Sequence, residues 1–424
     1  MSRILPPAAG ARVFAALAAG YVMSYALRSV NAAIAPELVA DLDLSHAALG
    51  ALTSAYFFAF AALQLPLGIW LDRYGSRRTD GILLMVAALG CLIFSLADSF
   101  AMLWVGRALI GAGVAGALMS AVRVYRFWFA PQLQQSLMAW MLVAGSLGAL
   151  AATVPVRLTL PLVGWRGVFM ISAVLLMLAA VGILRLLPRD EPTVPRQPGA
   201  ESIWRGYLVV FGDPYFWRFG VLALCAQSGF IAFQSLWTGP WFTEVLGMSP
   251  GAAAQALLVF NIVLMFGFLG IGWALPRLSA AGWGVPRLVV IATALVVVLH
   301  LAIPFVDGLF AVGLWVAYAV VATIYVPAQS HVSLSFPEEL TGRAFTAFNL
   351  LIFVGVFVVQ WLFGVIVDLA SAGPVADAQG FRRALLAWAM LEAAALAVFV
   401  LWRVSPRVGD GVSPESAMRP PAGR

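Results

Sequence analysis

Polar residues interrupt this chain so rarely that about twelve apolar runs follow one another along it, each near the roughly 20 residues that cross a bilayer. Their approximate limits are 12–35, 49–71, 79–97, 101–122, 136–158 and 166–187, then 215–237, 251–274, 288–305, 309–332, 344–368 and 382–402. The runs are continuous rather than alternating. Helices, which satisfy their own backbone hydrogen bonds, therefore fit them better than a barrel. Charged residues make up 10% of the 424 residues and apolar residues 62%. So few charges do not cover the surface of water-soluble domains. A soluble enzyme, a nucleic-acid binder and a disordered scaffold are all poor readings. The expectation is an all-α polytopic membrane protein of twelve transmembrane helices.

The longest internal polar stretch, 188–214, holds Pro188, Pro192, Pro195 and Pro198 and mixes arginines with acids. It reads as a linker between a six-helix bundle at 1–187 and a second at 215–403, with a tail at 404–424 whose last stretch, 413–424, is rich in Pro and Gly. The pairing suggests two pseudo-repeats around a shared site. All 25 basic residues are arginine. With twelve spans, Arg157, Arg166, Arg382 and Arg383 fall at one set of span ends, Arg28 and Arg107 fall inside spans, and the rest fall at the opposite ends. That asymmetry predicts cytoplasmic termini. The short start before the first run does not read as a cleavable signal, and the short loops suggest a prokaryotic inner membrane. Cys91 and Cys225 lie in apolar runs and read as packing residues, not as a disulfide or thiolate site. No zinc spacing, nucleophile elbow or phosphate loop is found, so neither a cofactor or metal nor enzymatic activity is expected.

Between the second and third runs stands Gly68-Ile-Trp-Leu-Asp72-Arg73-Tyr-Gly75-Ser-Arg77-Arg78. It resembles the signature loop G-x-x-x-D-R-x-G-x-R-R of the major facilitator superfamily, in the position where that family carries it. Arg107-Ala-Leu-Ile-Gly111-Ala-Gly113 resembles the family's R-x-x-x-G-x-G, and Gly164-Trp-Arg-Gly at the start of the sixth span is also familiar. The resemblance covers nearly the whole chain and implies a transporter working by alternating access. It also implies that Asp72 faces the start of span 11 near Gly342–Ala344, locking the cytoplasmic side, where a carboxylate would meet the unpaired N–H groups of a helix N-terminus. The bland alternative is that the loop arginines are only topology anchors. The Gly-Pro pair of drug/proton antiporters is absent from span 5, which reads Gly145-Ser-Leu-Gly148-Ala-Leu-Ala-Ala-Thr-Val-Pro155.

In that family spans 1, 4, 7 and 10 line the central cavity. In span 1, Tyr21, Tyr25 and Arg28 are four and three residues apart and share a helical face, with Asn31 beside them. A guanidinium at mid-span costs at least ~2.5 kcal/mol on insertion scales, so it must face protein or water. The stretch resembles span 1 of the organophosphate:phosphate antiporters and the sialin-like organic anion:proton symporters, where an arginine holds the anion. Its planar fork suits a carboxylate or phosphate. Span 7 lacks the second arginine of the first branch, and span 4 has Val114 where the second tends to carry an acid. The departures favour a monovalent carboxylate. The competing reading makes Arg28 a brace between helices.

The other cavity candidates are Gln227 and Gln234, seven apart in span 7, and Tyr318 and Tyr325 in span 10, each of which would equally serve to bond a neighbouring helix. Arg107, His300 and Glu392 are the candidates for proton coupling, although spans 9 and 12 are peripheral in the family. The expected partners are a small anionic molecule, protons and lipid, with a monomer as the working unit. Two rival functions stay open: an exporter of drugs or metabolites, and a non-transporting receptor that keeps the carrier fold.

Overall fold

The structure, a computed structural model, describes residues 4–189, 200–371 and 378–405, without the side chains of Asp72, Pro131, Gln135, residues 200–204, Glu338 and Glu339. Twelve helices are long and apolar enough to cross a membrane. Spans 1 to 6 are Pro7–Leu42, His46–Leu71, Arg73–Ser95, Phe100–Trp128, Gln132–Ala151 and Val154–Leu186. Spans 7 to 12 are Pro214–Val245, Pro250–Ala280, Val285–Phe305, Gly308–Leu334, Leu340–Ala370 and Ala378–Leu401. The described residues are overwhelmingly helical, as the continuous apolar runs require. The connections alternate between two ends of the bundle, called here the linker end and the far end.

The helix boundaries follow local chemistry. Ser45, Ser99 and Ser249 cap spans 2, 4 and 8 at their starts, each accepting a bond from the N–H three residues on. Asp213 caps span 7 by accepting from the N–H groups of Tyr215 (2.7 Å) and Phe216 (3.1 Å). The turn between spans 2 and 3 is made by Gly75, whose φ of 74° a side-chain-bearing residue rarely adopts. Span 5 ends at Ala151, earlier than its apolar run does. Residues from Val154 join span 6, which is broken at Gly164 (φ 65°). Span 7 is irregular: π-helical turns at Ala223–Gln227, Phe233–Trp237 and Trp241–Val245 interrupt it. Such wide turns void the seven-residue spacing rule, which holds for an α-helix.

The linker contains a helix, Ala200–Phe211. Its Tyr207 hydroxyl meets Thr346 Oγ1 at 3.0 Å, and Gly206 lies against the Arg343 side chain, so this helix docks on the start of span 11. Proline density in 190–199 hid the apolar pattern that follows it; those prolines and the tail beyond 405 lie outside the described residues. Outward faces carry large exposed side chains such as Leu162, Phe266, Leu309 and Met390, which suit hydrocarbon and not water. Each far-end arginine is pinned: Arg157 pairs with Glu37, Arg166 with Asp41 (2.6 Å), and Arg382 with Asp307 (2.6 Å), while Arg383 donates to the Ala370 carbonyl that ends span 11. Both cysteines are free, Cys91 buried and Cys225 partly so.

Candidate functional site

Span 1 holds the four sequence candidates of the first bundle together. Tyr21 and Tyr25 meet edge to face, ring centroids 5.0 Å apart, and Gly145 of span 5 leaves them room. The Arg28 guanidinium lies 4.6 Å from the Tyr25 ring, 5.5 Å from Phe60 and 5.3 Å from Phe353. Phe353 belongs to span 11, so the cation sits where the two bundles meet. Arg28 is only 8% exposed, and its Nε is buried without a hydrogen-bond partner. No ion pair reaches it among the described residues. Ring faces attract a cation but leave its charge uncompensated. Asn31 donates to Thr53 Oγ1 at 2.8 Å and keeps a buried, unpartnered Oδ1.

Tyr56 of span 2 was not foreseen. Its hydroxyl donates to the Ser24 carbonyl at 3.1 Å, next to Arg28, and its ring lies 5.2 Å from the Arg107 guanidinium. Arg107 is fully buried, and none of its three side-chain nitrogens has a partner. The site therefore holds two cations around one phenol, with no carboxylate bound to either among the described residues. Within the Tyr56-Phe57-Phe58 triplet the sequence carries no signal that separates this ring from its neighbours.

The candidates of the second bundle make different contacts. Gln234 donates to Asn261 Oδ1 at 3.1 Å, a brace to span 8, while Gln227 is half-buried. Tyr325 bonds Thr293 at 3.3 Å, and Tyr318 is fully buried with an unpartnered hydroxyl. His300 Nδ1 and Glu392 Oε2 lie 2.7 Å apart, both fully buried, and Trp388 donates to the other carboxylate oxygen at 3.1 Å. The His300 ring packs 4.5 Å from Tyr318 and 5.3 Å from Phe233. This is an enclosed polar knot inside the second bundle, on different residues from those around Arg28.

Of the loop motif, Gly68 lies in span 2 with open space around it, Gly75 turns the chain, and Arg73 stacks near Tyr74 at 5.3 Å. Arg77 donates to the Leu184 carbonyl at 2.6 Å, meeting the partial negative charge where span 6 ends. Arg78 is exposed. The side chain of Asp72 lies outside the described residues, and so does its expected contact with span 11. The neighbouring Asp80, not singled out from the sequence, is buried with both carboxyl oxygens unpartnered.

At the far end the bundles are closed on each other. Backbone meets backbone at Gly50 against Gln360, Gly239 against Ala32, and Gly364 against His46; a methyl group at any of these glycines would collide with a carbonyl oxygen. His46, the first residue of span 2, adds a polar latch. Its Nε2 is 2.9 Å from Glu244 and its Nδ1 3.3 Å from Asp368. Asp368 also accepts from the N–H groups of His46 (3.2 Å) and Ala47 (2.8 Å), which end the helix dipole. Gln360 donates to Ser235 at 2.8 Å nearby. Towards the linker end, Asn349 donates to Gln64 at 3.1 Å across the same seam.

Four likenesses bear on this arrangement. The family described as Major Facilitator Superfamily matches residues 17–360. The hexuronate transporter of Escherichia coli (strain K12) is 23% identical over 415 residues, 91% of either chain, and the membrane sensor protein UhpC of the same strain is 24% identical over 302 residues, 64% of this chain and 65% of that one. A bacterial homolog of the human lysosomal transporter Spinster, in an inward-facing and unoccupied conformation, superposes with a TM-score of 0.74 at 19% identity over 94% of this chain and 98% of that one.

Proposed function

Because the chain belongs to the major facilitator superfamily, we propose that it is a secondary transporter of a small organic anion, a carboxylate in preference to a phosphate, working by alternating access in the inner membrane. The family membership makes it a multi-pass membrane transporter and not an enzyme. The anion is carried by one observation: Arg28 stands at the bundle interface, among aromatic rings, with its charge unpaired. A guanidinium offers two parallel donors to a carboxylate, and in a low-dielectric site that pairing is stronger than in water. Tyr21, Tyr25, Asn31 and Tyr56 supply polar edges for hydroxyl groups. The similarity to a protein named as a hexuronate transporter supports a polyhydroxylated carboxylate as the cargo class.

On this reading the termini and the linker face the cytoplasm, and the far end faces outward. The His46–Glu244–Asp368 latch then closes the outer gate. The groups suited to hold a co-transported proton are His300 with Glu392, and Asp80; Arg107 stands beside Tyr56 near the anion site. The working unit is a monomer.

The test is uptake by proteoliposomes of labelled hexuronates, hexoses and hexose phosphates, with and without an imposed pH gradient. Hexuronate uptake is expected, lost in Arg28→Ala and reduced in Arg28→Lys, which keeps the charge but not the fork. Normal hexuronate flux through Arg28→Ala would sink the assignment. The likeness to a protein named as a membrane sensor favours one second reading, a receptor, which binding of hexuronate without flux in the same vesicles would reveal.

A further inference from the structure

Three arginines from three spans meet at the linker end of the second bundle, away from the residues around Arg28. Arg218 near the start of span 7, Arg287 near the start of span 9 and Arg403 just past span 12 line one cleft of about 660 Å³. No acidic residue lines it among the described residues. Arg218 is fixed: it donates to the carbonyls of Phe399 and Val404, both at 3.1 Å, and lies 4.5 Å from the Phe399 ring. Arg287 rests over Trp283 at 4.2 Å. Arg403 is exposed, and no ion pair engages its guanidinium among the described residues. Two of the three cations are thus left with donors to spare, and the third is anchored as a fixed wall.

The surroundings say which anion fits. Trp273, over which Arg277 lies at 4.0 Å, and Trp402 are exposed at the same end. Together with Trp283 they mark the level where aromatic side chains settle between headgroups and hydrocarbon. Arg287 and Arg403, which line the cleft, stand four residues from Trp283 and one from Trp402, respectively. Its wall then continues as Val290, Ile291 and Val400, one helical turn deeper than Arg287 and Arg403. A soluble phosphate would use the arginines and ignore the apolar floor. A phospholipid uses both.

We propose that this cleft binds the phosphate of an anionic phospholipid headgroup, with an acyl chain lying along Val290, Ile291 and Val400. The shared chemistry, phosphate on guanidinium, is charge-assisted and favoured by fork geometry.

The experiment uses the full-length protein in detergent, titrated with phosphatidylglycerol, phosphatidylcholine, glycerol phosphate or inorganic phosphate, with retained lipid read by native mass spectrometry and melting followed in parallel. Phosphatidylglycerol is expected to stay bound and raise the melting temperature; the other three are not. Arg287→Gln with Arg403→Gln is expected to weaken phosphatidylglycerol binding about thirty-fold, from the usual contribution of two interfacial arginines. Arg287→Lys with Arg403→Lys should lose only a few-fold. Val290→Trp keeps every arginine but fills the floor, and should displace the lipid as well. Phosphatidylglycerol retention unchanged in both the glutamine pair and Val290→Trp would overturn the site. Equal protection by glycerol phosphate or inorganic phosphate would overturn the lipid as its occupant.

Discussion

Replacing Asp368 by alanine removes the acceptor that joins span 11 to the first turn of span 2. The aspartate takes two backbone N–H bonds, from His46 and Ala47, and sits 3.3 Å from the His46 ring. A hydrogen bond to a charged acceptor is worth about 1.5–3 kcal/mol. The Asp368 side chain is 28% exposed, so the low end applies, and water satisfies both N–H groups once the seam parts. The net preference lost by the closed far end is then about 2 kcal/mol, roughly thirty-fold in the ratio of closed to open. Thr238 gives a reporter. It is fully buried beside Gly239, and its hydroxyl has no partner, so Thr238→Cys changes little in the closed form. In a background with Cys91 and Cys225 replaced, a membrane-impermeant maleimide should label Thr238→Cys slowly, and about ten- to thirty-fold faster when Asp368→Ala is added. Equal labelling rates with and without Asp368 would refute the reasoning and leave the glycine contacts as the whole of the closure.

Further outcomes follow from the same geometry. Gly239→Leu drives a side chain into the Ala32 carbonyl, so it should hold the far end open and stop transport while binding persists, checked by the same labelling and by ligand-induced melting shifts. Glu392→Leu leaves His300 buried without its partner, and should cost about 3–5 kcal/mol of stability, read as a large fall in melting temperature. Replacing both members, His300→Leu with Glu392→Leu, should recover much of that loss if the pair is structural. Arg107→Met removes a buried cation with no partner and should leave melting unchanged or raise it; abolished uptake with intact melting would mark the charge as part of the transport machinery.

The span count was legible because hydrocarbon demands unbroken apolar helices, a pattern that survives without any knowledge of partners. Gly75 was legible for a similar reason, since a sharp turn between two spans needs a residue free of Cβ. Span 1 could be read as a site because Tyr21, Tyr25 and Arg28 lie within two turns of one helix. What escaped depends on distance along the chain. His46 meets Glu244 and Asp368 across 198 and 322 residues, and nothing local marks a histidine beginning a helix as a latch. Tyr56 gains its place from two arginines on other spans. Gln227 and Gln234 were paired by α-helical spacing, but π-helical turns in span 7 set them in different surroundings. The linker helix was masked by the prolines before it.

At Gly50, Gly239 and Gly364 the far-end seam brings main chain directly onto main chain, with no Cβ on the glycine side. At those three points the surfaces can part without any rotamer having to hop, and can rejoin in register because the peptide grid is the same on every pass. Opening there asks only for the polar fasteners and the few rings that span the seam to let go, so the tempo of the carrier should answer sharply to changes at His46, Glu244 and Asp368.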